Sequence, residues 1–246
     1  MSIETDAELQ ALRAAGRVVA EALRAMRRAV RPGVTTAELD RVGAKVFRRF
    51  GARSGPQLDY GFPGVTCISV NDEAVHGVPS GRRLRDGDLV KLDVTAELDG
   101  FYADACASVS VGRARADSVR LLATTRQAFE NAVDVARAGM PLNAIGAVVE
   151  ETVAASGHSV CNELMGHGIG RRIHEPPDVP NYYLAGVSHA LTDGLVLTIE
   201  PIISAGTGAV RMGRDGWTVS TADGALAAHV EHTLVITRDR PLLLTV

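Results

Sequence analysis

Residues 89–111 read LVKLDVTAELDGFYADACASVSV and predict a β-hairpin. The Asp-Gly dipeptide in the middle is typical of a two-residue hairpin turn between two alternating stretches. With that dipeptide in the turn, Thr95 lies opposite Asp104, and Asp93 lies two residues along the same strand and on the same face. Asp93 and Asp104 are then diagonal neighbours, with Cα atoms roughly 7–8 Å apart.

Like charges at this separation destabilise a sheet unless a cation lies between them. Two further carboxylates, Glu200 in LTIEPI and Glu231 in AHVEHTLVI, fall in apolar segments that also resemble strands. Acidic side chains are rarely buried unless they are paired or bind a cation. Together with His167 in GHGIG, the set has the composition of a two-metal site. For the hairpin alone, the alternative is a solvated strand pair with both aspartates exposed.

The composition sets the broad class of protein. With 246 residues, 46% of them hydrophobic and 22% charged, the chain suits a soluble globular protein, and we expect a single domain over residues 1–246. The formal net charge of −3 provides no basic surface, so neither nucleic acid nor membrane is an expected partner. Three unclustered cysteines, no signal peptide and no apolar run of membrane-spanning length predict a cytoplasmic protein.

Hydrophobic periodicity predicts four helices and several short strands. Thr35 followed by Glu38 is a capping-box pattern at the start of the second helix. Helices are expected at about 5–30, 35–50, 115–138 and 142–156, and strands at 66–71, in the hairpin, and in LVLTIEPII, DGWTVST and VEHTLVIT. The order of helices, strand and hairpin occurs twice, which indicates an α+β fold with internal duplication.

The remaining histidines differ in context. His76, in NDEAVHGVP, follows a strand and precedes a Gly/Pro turn, where loops often carry catalytic groups. Four others have no distinguishing context and are predicted to be structural, namely His158, His189, His229 and His232.

Six segments carry a resemblance to a known family. They are NDEAVHGVP, KLDVT followed by DGFYADA, GHGIGRRIHEPP, LTIEP, DGWTVST and EHT, and in order and spacing they resemble the signature segments of type I methionine aminopeptidases, which are M24 metallopeptidases. The resemblance implies the pita-bread fold, an α+β domain of two pseudo-symmetric halves around a dinuclear metal site. It also implies removal of the amino-terminal methionine from nascent proteins and peptides, with preference for a small second residue.

The resemblance further implies the roles of individual residues. Two divalent ions, Co, Mn, Fe or Zn, would be held by Asp93, Asp104, His167, Glu200 and Glu231, with Asp104 and Glu231 bridging both ions. Glu200 would also move a proton of the attacking water, and His76 and His174 would contact the substrate amide without binding metal. The pocket for the methionine side chain would contain Phe62, Cys67 and Trp217.

Two positions depart from the family pattern. Ile173 stands where the family commonly has Phe, and Asp59 stands where an aromatic residue is usual. These departures bear on methionine selectivity and leave the expected catalytic residues intact.

Two alternatives remain. A proline-specific relative of the same fold, an Xaa-Pro aminopeptidase or prolidase, usually carries an extra amino-terminal domain, whereas only about 60 residues precede the first predicted strand here. A non-catalytic peptide-binding protein would have lost ligands, whereas all five ligand positions are filled. The family is typically monomeric, so a monomer that acts on nascent polypeptide amino termini is expected.

Overall fold

The computed structural model describes residues 1–246. In the first half, two long helices pack on a sheet built around a hairpin. Its elements are α1 (Asp6–Ala29), α2 (Thr36–Phe50), β1 (Arg53–Ser54), α3 (Gly55–Tyr60), β2 (Cys67–Val70), β3 (Glu73–Val75), β4 (Leu89–Leu98) and β5 (Phe101–Ser110). Strand β4 pairs with β5 along one edge and with β1 and β2 along the other.

The second half repeats the pattern of helices followed by strands. Its elements are α4 (Ala116–Val135), α5 (Asn143–Ala155), β6 (Ser159–Val160), β7 (Gly166–Gly168), β8 (Glu175–Val179), β9 (Val196–Ile199), β10 (Ile202–Ser204), β11 (Val210–Met212), β12 (Val219–Thr221), β13 (Ala227–His229), β14 (His232–Val235) and β15 (Leu242–Leu243). The largest sheet has the order β15-β14-β9-β7-β8. None of the helices combines the length and the hydropathy that a membrane span requires.

The predicted hairpin is confirmed in its register. Thr95 pairs with Asp104 and Asp93 pairs with Cys106, as the Asp-Gly turn requires. Both turn residues, Asp99 and Gly100, have positive φ angles of 50° and 83°. This conformation matches the twist of the two strands, and it is the reason that Asp-Gly is favoured there.

The predicted helices are present, with small differences at their ends. Helix α2 begins with the expected capping box, in which the Thr35 hydroxyl accepts from the Glu38 amide and the Glu38 carboxylate accepts from the Thr35 amide. The short helix α3 was not predicted.

The expectation that Glu200 and Glu231 lie within strands is wrong in detail. Glu200 follows β9 directly and Glu231 lies between β13 and β14. Strand β9 ends before Pro201, which has no N–H to donate to a neighbouring strand. The Glu231 backbone exchanges hydrogen bonds with Cys106 of β5.

Each half has its own hydrophobic core. In the first half, α1 and α2 bury residues such as Val18 and Leu39 against Leu92 of β4. In the second half, α4 and α5 bury Leu121 and Ile145 with the strand residues of the large sheet. Two separate cores agree with the predicted duplication.

The two halves meet along a seam, by which we mean β5 and residues 229–233. Three residue pairs are hydrogen bonded across it, namely Asp104 with Thr233, Cys106 with Glu231, and Ser108 with His229. The Cys106 and Glu231 backbones exchange two bonds of 3.3 and 3.1 Å. Because side chains alternate along extended chain, the seam brings the hairpin aspartates to the same face as Glu231.

Candidate metal centre

Five side chains predicted to bind metal come together at the seam. Asp93 and Asp104 come from the hairpin, and the other three come from the second half. All five line one cavity of about 190 Å³, and they are Asp93, Asp104, His167, Glu200 and Glu231. The sequence prediction that these residues share one site therefore agrees with their placement, although their role as ligands stays a prediction.

His167 is oriented by its own strand. It lies in β7, where its Nδ1 donates to the Gly168 carbonyl at 2.9 Å. This bond fixes the tautomer and leaves the Nε2 lone pair facing Glu200 Oε1 at 3.5 Å. A side chain at Gly168 would lie 2.3 Å from the Pro176 carbonyl, so only glycine lets β7 and β8 approach this closely.

The acidic side chains of the cluster have raised pKa values. Burial, followed by the charges of neighbouring carboxylates, raises the pKa of Asp93 and Glu231 well above the usual range. Burial also raises the pKa of Asp104, and it raises that of Glu200 to about 7. Without a cation, these groups would keep their protons to higher pH than exposed carboxyls do.

The donor atoms fit a divalent cation. Asp104 Oδ2 accepts from the Thr95 hydroxyl at 2.8 Å, whereas its Oδ1 is buried and has no hydrogen-bond partner. One donor atom from each of Asp104, His167 and Glu231 lies within 4.8 Å of the other two. Carboxylate oxygens with one imidazole are ligands that first-row metals accept.

The cluster contains a sixth side chain besides the five predicted ligands. His229 is buried, and its Nε2 lies 3.5 Å from Glu200 Oε2 and 3.5 Å from Glu231 Oε2. Neither ring nitrogen has a hydrogen-bond partner. A signal was present in the sequence, because residues 229 and 231 of an extended segment share one face. The prediction that His229 is structural did not anticipate this position, and the role of His229 stays a prediction.

Two of the other histidines predicted to be structural lie outside the cluster. His158 Nδ1 is bonded to the Thr124 hydroxyl, and His232 Nδ1 is bonded to the Thr245 hydroxyl.

A second cavity, of about 380 Å³, adjoins the carboxylates. It is lined by Asp93 and Asp104 on one side and by the predicted pocket residues Phe62, Cys67 and Trp217 on the other. The Phe62 and Trp217 rings pack edge to face with their centroids 5.3 Å apart. The polar cluster thus opens directly onto an apolar pocket.

His76 and His174 also line this second cavity. The Tyr60 hydroxyl is 2.5 Å from His174 Nδ1, and the His174 ring lies 4.2 Å from the His167 ring. Burial lowers the pKa of His174. His76 has a φ of 57°, a conformation that few residues other than glycine adopt and that is common at functional sites. Tyr60 was missed because helix α3 was not predicted.

The two departures from the family pattern have different positions. Ile173 is buried and lines the second cavity. The Asp59 carboxylate accepts from the Tyr102 hydroxyl at 2.9 Å and from the Ile173 amide at 3.4 Å. Asp59 therefore fixes the segment that carries Ile173 and His174.

Comparisons with known proteins agree with this geometry. A family model described as Metallopeptidase family M24 matches residues 10–238. The chain is 42% identical to methionine aminopeptidase 2 of Bacillus subtilis over 100% of this chain and 99% of that protein. Its structure matches a methionine aminopeptidase from Thermotoga maritima with a TM-score of 0.96 and 36% identity, covering 100% and 99% of the two chains.

A more distant structure shares the fold alone. The prolidase from Pyrococcus furiosus matches with a TM-score of 0.81 at 23% identity, and the match covers 99% of this chain but 65% of the prolidase. The predicted pita-bread fold is confirmed by these two structural matches together.

Removal of divalent ions is expected to destabilise the protein more at about pH 8 than at about pH 5.5. In the metal-free protein, carboxyls with raised pKa values favour folding at low pH, and this stability is lost as the pH rises through the folded-state value, about 7 for Glu200. A bound cation replaces the protons, so the metal-loaded protein should not show this loss. Thermal unfolding with metal and with a chelator at both pH values measures the difference. An equal difference in Tm at both values would contradict the prediction.

Proposed function

The chain belongs to metallopeptidase family M24, and on that premise we propose that it removes the amino-terminal methionine from nascent proteins and peptides whose second residue is small. Relatives that match it over almost their whole length are named methionine aminopeptidases. The proposal follows these relatives and not the prolidase, whose chain extends well beyond the shared region.

One observation carries the proposal: a single cavity joins carboxylates that can hold metal to an apolar pocket. An aminopeptidase needs its metal site and its side-chain pocket next to each other, because the scissile carbonyl and the first side chain belong to the same substrate residue. Asp93 and Asp104 supply the first feature, and Phe62 and Trp217 supply part of the second.

We propose that the five residues predicted from the sequence would hold two divalent ions. Four carboxylates would balance the four positive charges of two such ions. When bound, divalent ions make a hydroxide nucleophile available near neutral pH and polarise the substrate carbonyl. The identity of the metal, Co, Mn, Fe or Zn, does not follow from these ligand types.

The protein's own side chains would transfer protons and orient the substrate. Glu200 Oε1 accepts from the Thr198 hydroxyl at 3.0 Å, which directs its carboxylate toward the cavity, where it can take a proton from water and return it to the leaving amine. His174, held by Tyr60, and His76 face the same cavity and can donate hydrogen bonds to the substrate amide.

The apolar end of the cavity suits a methionine side chain. Edge-to-face packing of Phe62 and Trp217 presents aromatic surface, and a thioether gains roughly 0.3–1.5 kcal/mol beside aromatic rings. Cys67 is buried, and burial keeps its thiol protonated because it raises the thiol pKa. We propose that these three residues contact the first side chain.

We further propose a monomer formed by one catalytic domain over residues 1–246, acting in the cytoplasm without nucleic-acid or membrane partners. The net charge of −3 supports the absence of nucleic-acid partners. The three cysteines are all free and buried, which suits a reducing compartment.

The purified chain is expected to release methionine from Met-Ala-Ser only when a divalent metal is present. Asp104→Asn should abolish both metal binding and turnover, because it removes the charge of one of the predicted ligands. Asp134→Asn, on the surface, is the matched control and should behave as the wild type.

Cleavage of Ala-Pro peptides in preference to Met-Ala-Ser would favour the prolidase alternative. Metal-independent binding of peptides without turnover would favour the non-catalytic alternative.

His76→Ala and His174→Ala are expected to lower kcat on the order of 10²–10³-fold while metal still binds, because each removes a donor to developing charge. Tyr60→Phe removes only the hydroxyl that holds His174, so it should cost about 2–10-fold, the value of one neutral hydrogen bond. Titration of each variant with metal, together with its kinetics, distinguishes a metal ligand from a hydrogen-bond donor to the substrate. A histidine variant that no longer binds its metals would identify that histidine as a ligand.

Ile173→Phe is expected to increase selectivity for methionine over leucine. Ile173 lines the cavity beside His174, and an aromatic ring there would narrow the pocket. Selection between side chains of similar size is worth about 1–3 kcal/mol in such a pocket. The measurement is kcat/KM on Met-Ala-Ser and Leu-Ala-Ser for both proteins. An unchanged ratio would show that residue 173 does not shape the pocket.

A further inference from the structure

His229 is held rigidly at the seam between the two halves. Its amide donates to the Ser108 hydroxyl at 2.9 Å, and its carbonyl accepts from the same hydroxyl at 2.7 Å. As the last residue of β13, it also pairs with Ile202 of β10. Because its backbone is fixed on both sides, the point from which its side chain extends is fixed at the seam.

The ring faces the carboxylates of two predicted ligands. Nε2 lies 3.5 Å from Glu200 Oε2 and 3.5 Å from Glu231 Oε2, and the side chain is 2% exposed. These distances are too long for good hydrogen bonds, and neither ring nitrogen has any partner. A buried imidazole with both nitrogens unpaired is costly, so it requires an explanation.

The cluster contains two groups of donors of the same kind. One consists of Asp104, His167 and Glu231, and the other consists of Glu200, His229 and Glu231. In each group, one imidazole nitrogen and two carboxylate oxygens lie within 4.8 Å of one another. Glu231 belongs to both groups. His229 is therefore placed near two carboxylates in the same way as His167 is placed near its two.

We propose that His229 is a sixth protein ligand of the metal centre and binds a divalent ion through Nε2 together with Glu200 and Glu231. A cation at this position would lie between the ring nitrogen and the two oxygens that now face it without bonding. The inference rests on the metal-dependent function proposed above, but it concerns metal binding and is tested without peptide substrate.

A second imidazole changes which metals the site prefers. Carboxylates alone suit Mg²⁺ and Mn²⁺, whereas imidazole favours Fe²⁺, Co²⁺ and Zn²⁺. With His167 and His229 both binding, the site should favour Co²⁺ and Zn²⁺ over Mn²⁺ more strongly than a site with His167 alone.

The test that needs no variant is proton NMR of the wild-type protein loaded with Co²⁺. Each imidazole bound to a paramagnetic ion gives one strongly shifted N–H resonance that disappears in D₂O. Two such resonances are expected, one from His167 and one from His229. A single resonance, assigned to His167, would overturn the proposal.

The second test compares Co²⁺ and Mn²⁺ affinities by calorimetric titration of metal-free protein. His229→Gln keeps a side chain of similar reach that can donate a hydrogen bond but is a poor ligand. It should lose one shifted resonance and weaken Co²⁺ binding by roughly 10–100-fold, with a smaller effect on Mn²⁺. His232→Gln changes a histidine that lies on the next strand along the chain and is bonded to Thr245, and it should leave the affinities for both metals unchanged.

If the Gln variant binds Co²⁺ and Mn²⁺ as the wild type does, His229 is not a ligand, and the proposal is wrong. Weaker binding supports the proposal when the wild type also shows two shifted resonances, because losing a residue that only orients a ligand weakens metal binding too. Circular dichroism and Tm in chelator show whether the variant is folded. If it is not, the count of shifted resonances in the wild type decides. Failure of this proposal leaves peptidase activity intact, whereas failure of the proposed function would be seen as absent turnover in metal-loaded wild type.

Discussion

Mutual repulsion of buried carboxylates is the constraint on which the rest of the structure depends. Four acidic side chains from two halves of the chain face the same small cavity, and burial raises the pKa of each. Such a cluster is stable at neutral pH only if positive charge is brought into it. The hairpin, the glycines around His167 and the seam serve to hold oxygen and nitrogen atoms where a cation can satisfy them. An apolar pocket adjoins the carboxylates, so a substrate side chain bound in the pocket would place its backbone beside them.

The seam also explains how one arrangement serves both structure and chemistry. Thr233 donates to the Asp104 carbonyl and accepts from its amide, and the Glu231 and Cys106 backbones exchange two bonds. Asp104 and Glu231, predicted ligands from different halves, are therefore fixed to the same hydrogen-bonded pair of chains. A shift of one half against the other would change the distance between them, so we expect metal binding and the docking of the halves to be energetically coupled.

The sequence was informative where local rules decide the structure. The Asp-Gly turn specifies the register of β4 and β5, so the diagonal placement of Asp93 and Asp104 followed from counting residues. Helix α2 followed from its capping box. Glu200 and Glu231 were singled out as carboxylates in apolar segments, and their individual roles as ligands came from the family resemblance, because contacts across more than a hundred residues leave no local pattern. Tyr60 was missed because it lies in a helix of only six residues. His229 was missed although residues 229 and 231 of an extended segment share one face.

The separation of the seam partners along the chain also bears on the protein's own synthesis. The Asp104–Thr233 bonds span 129 residues and the Ser108–His229 bonds span 121. Contacts between such distant segments form late in folding, because the entropy of closing a long loop must be overcome first. While the chain is still being translated, the hairpin aspartates have no partners from the second half. The cluster that the five predicted ligands form is therefore complete only once residues 229–233 have been synthesised and have paired with β5.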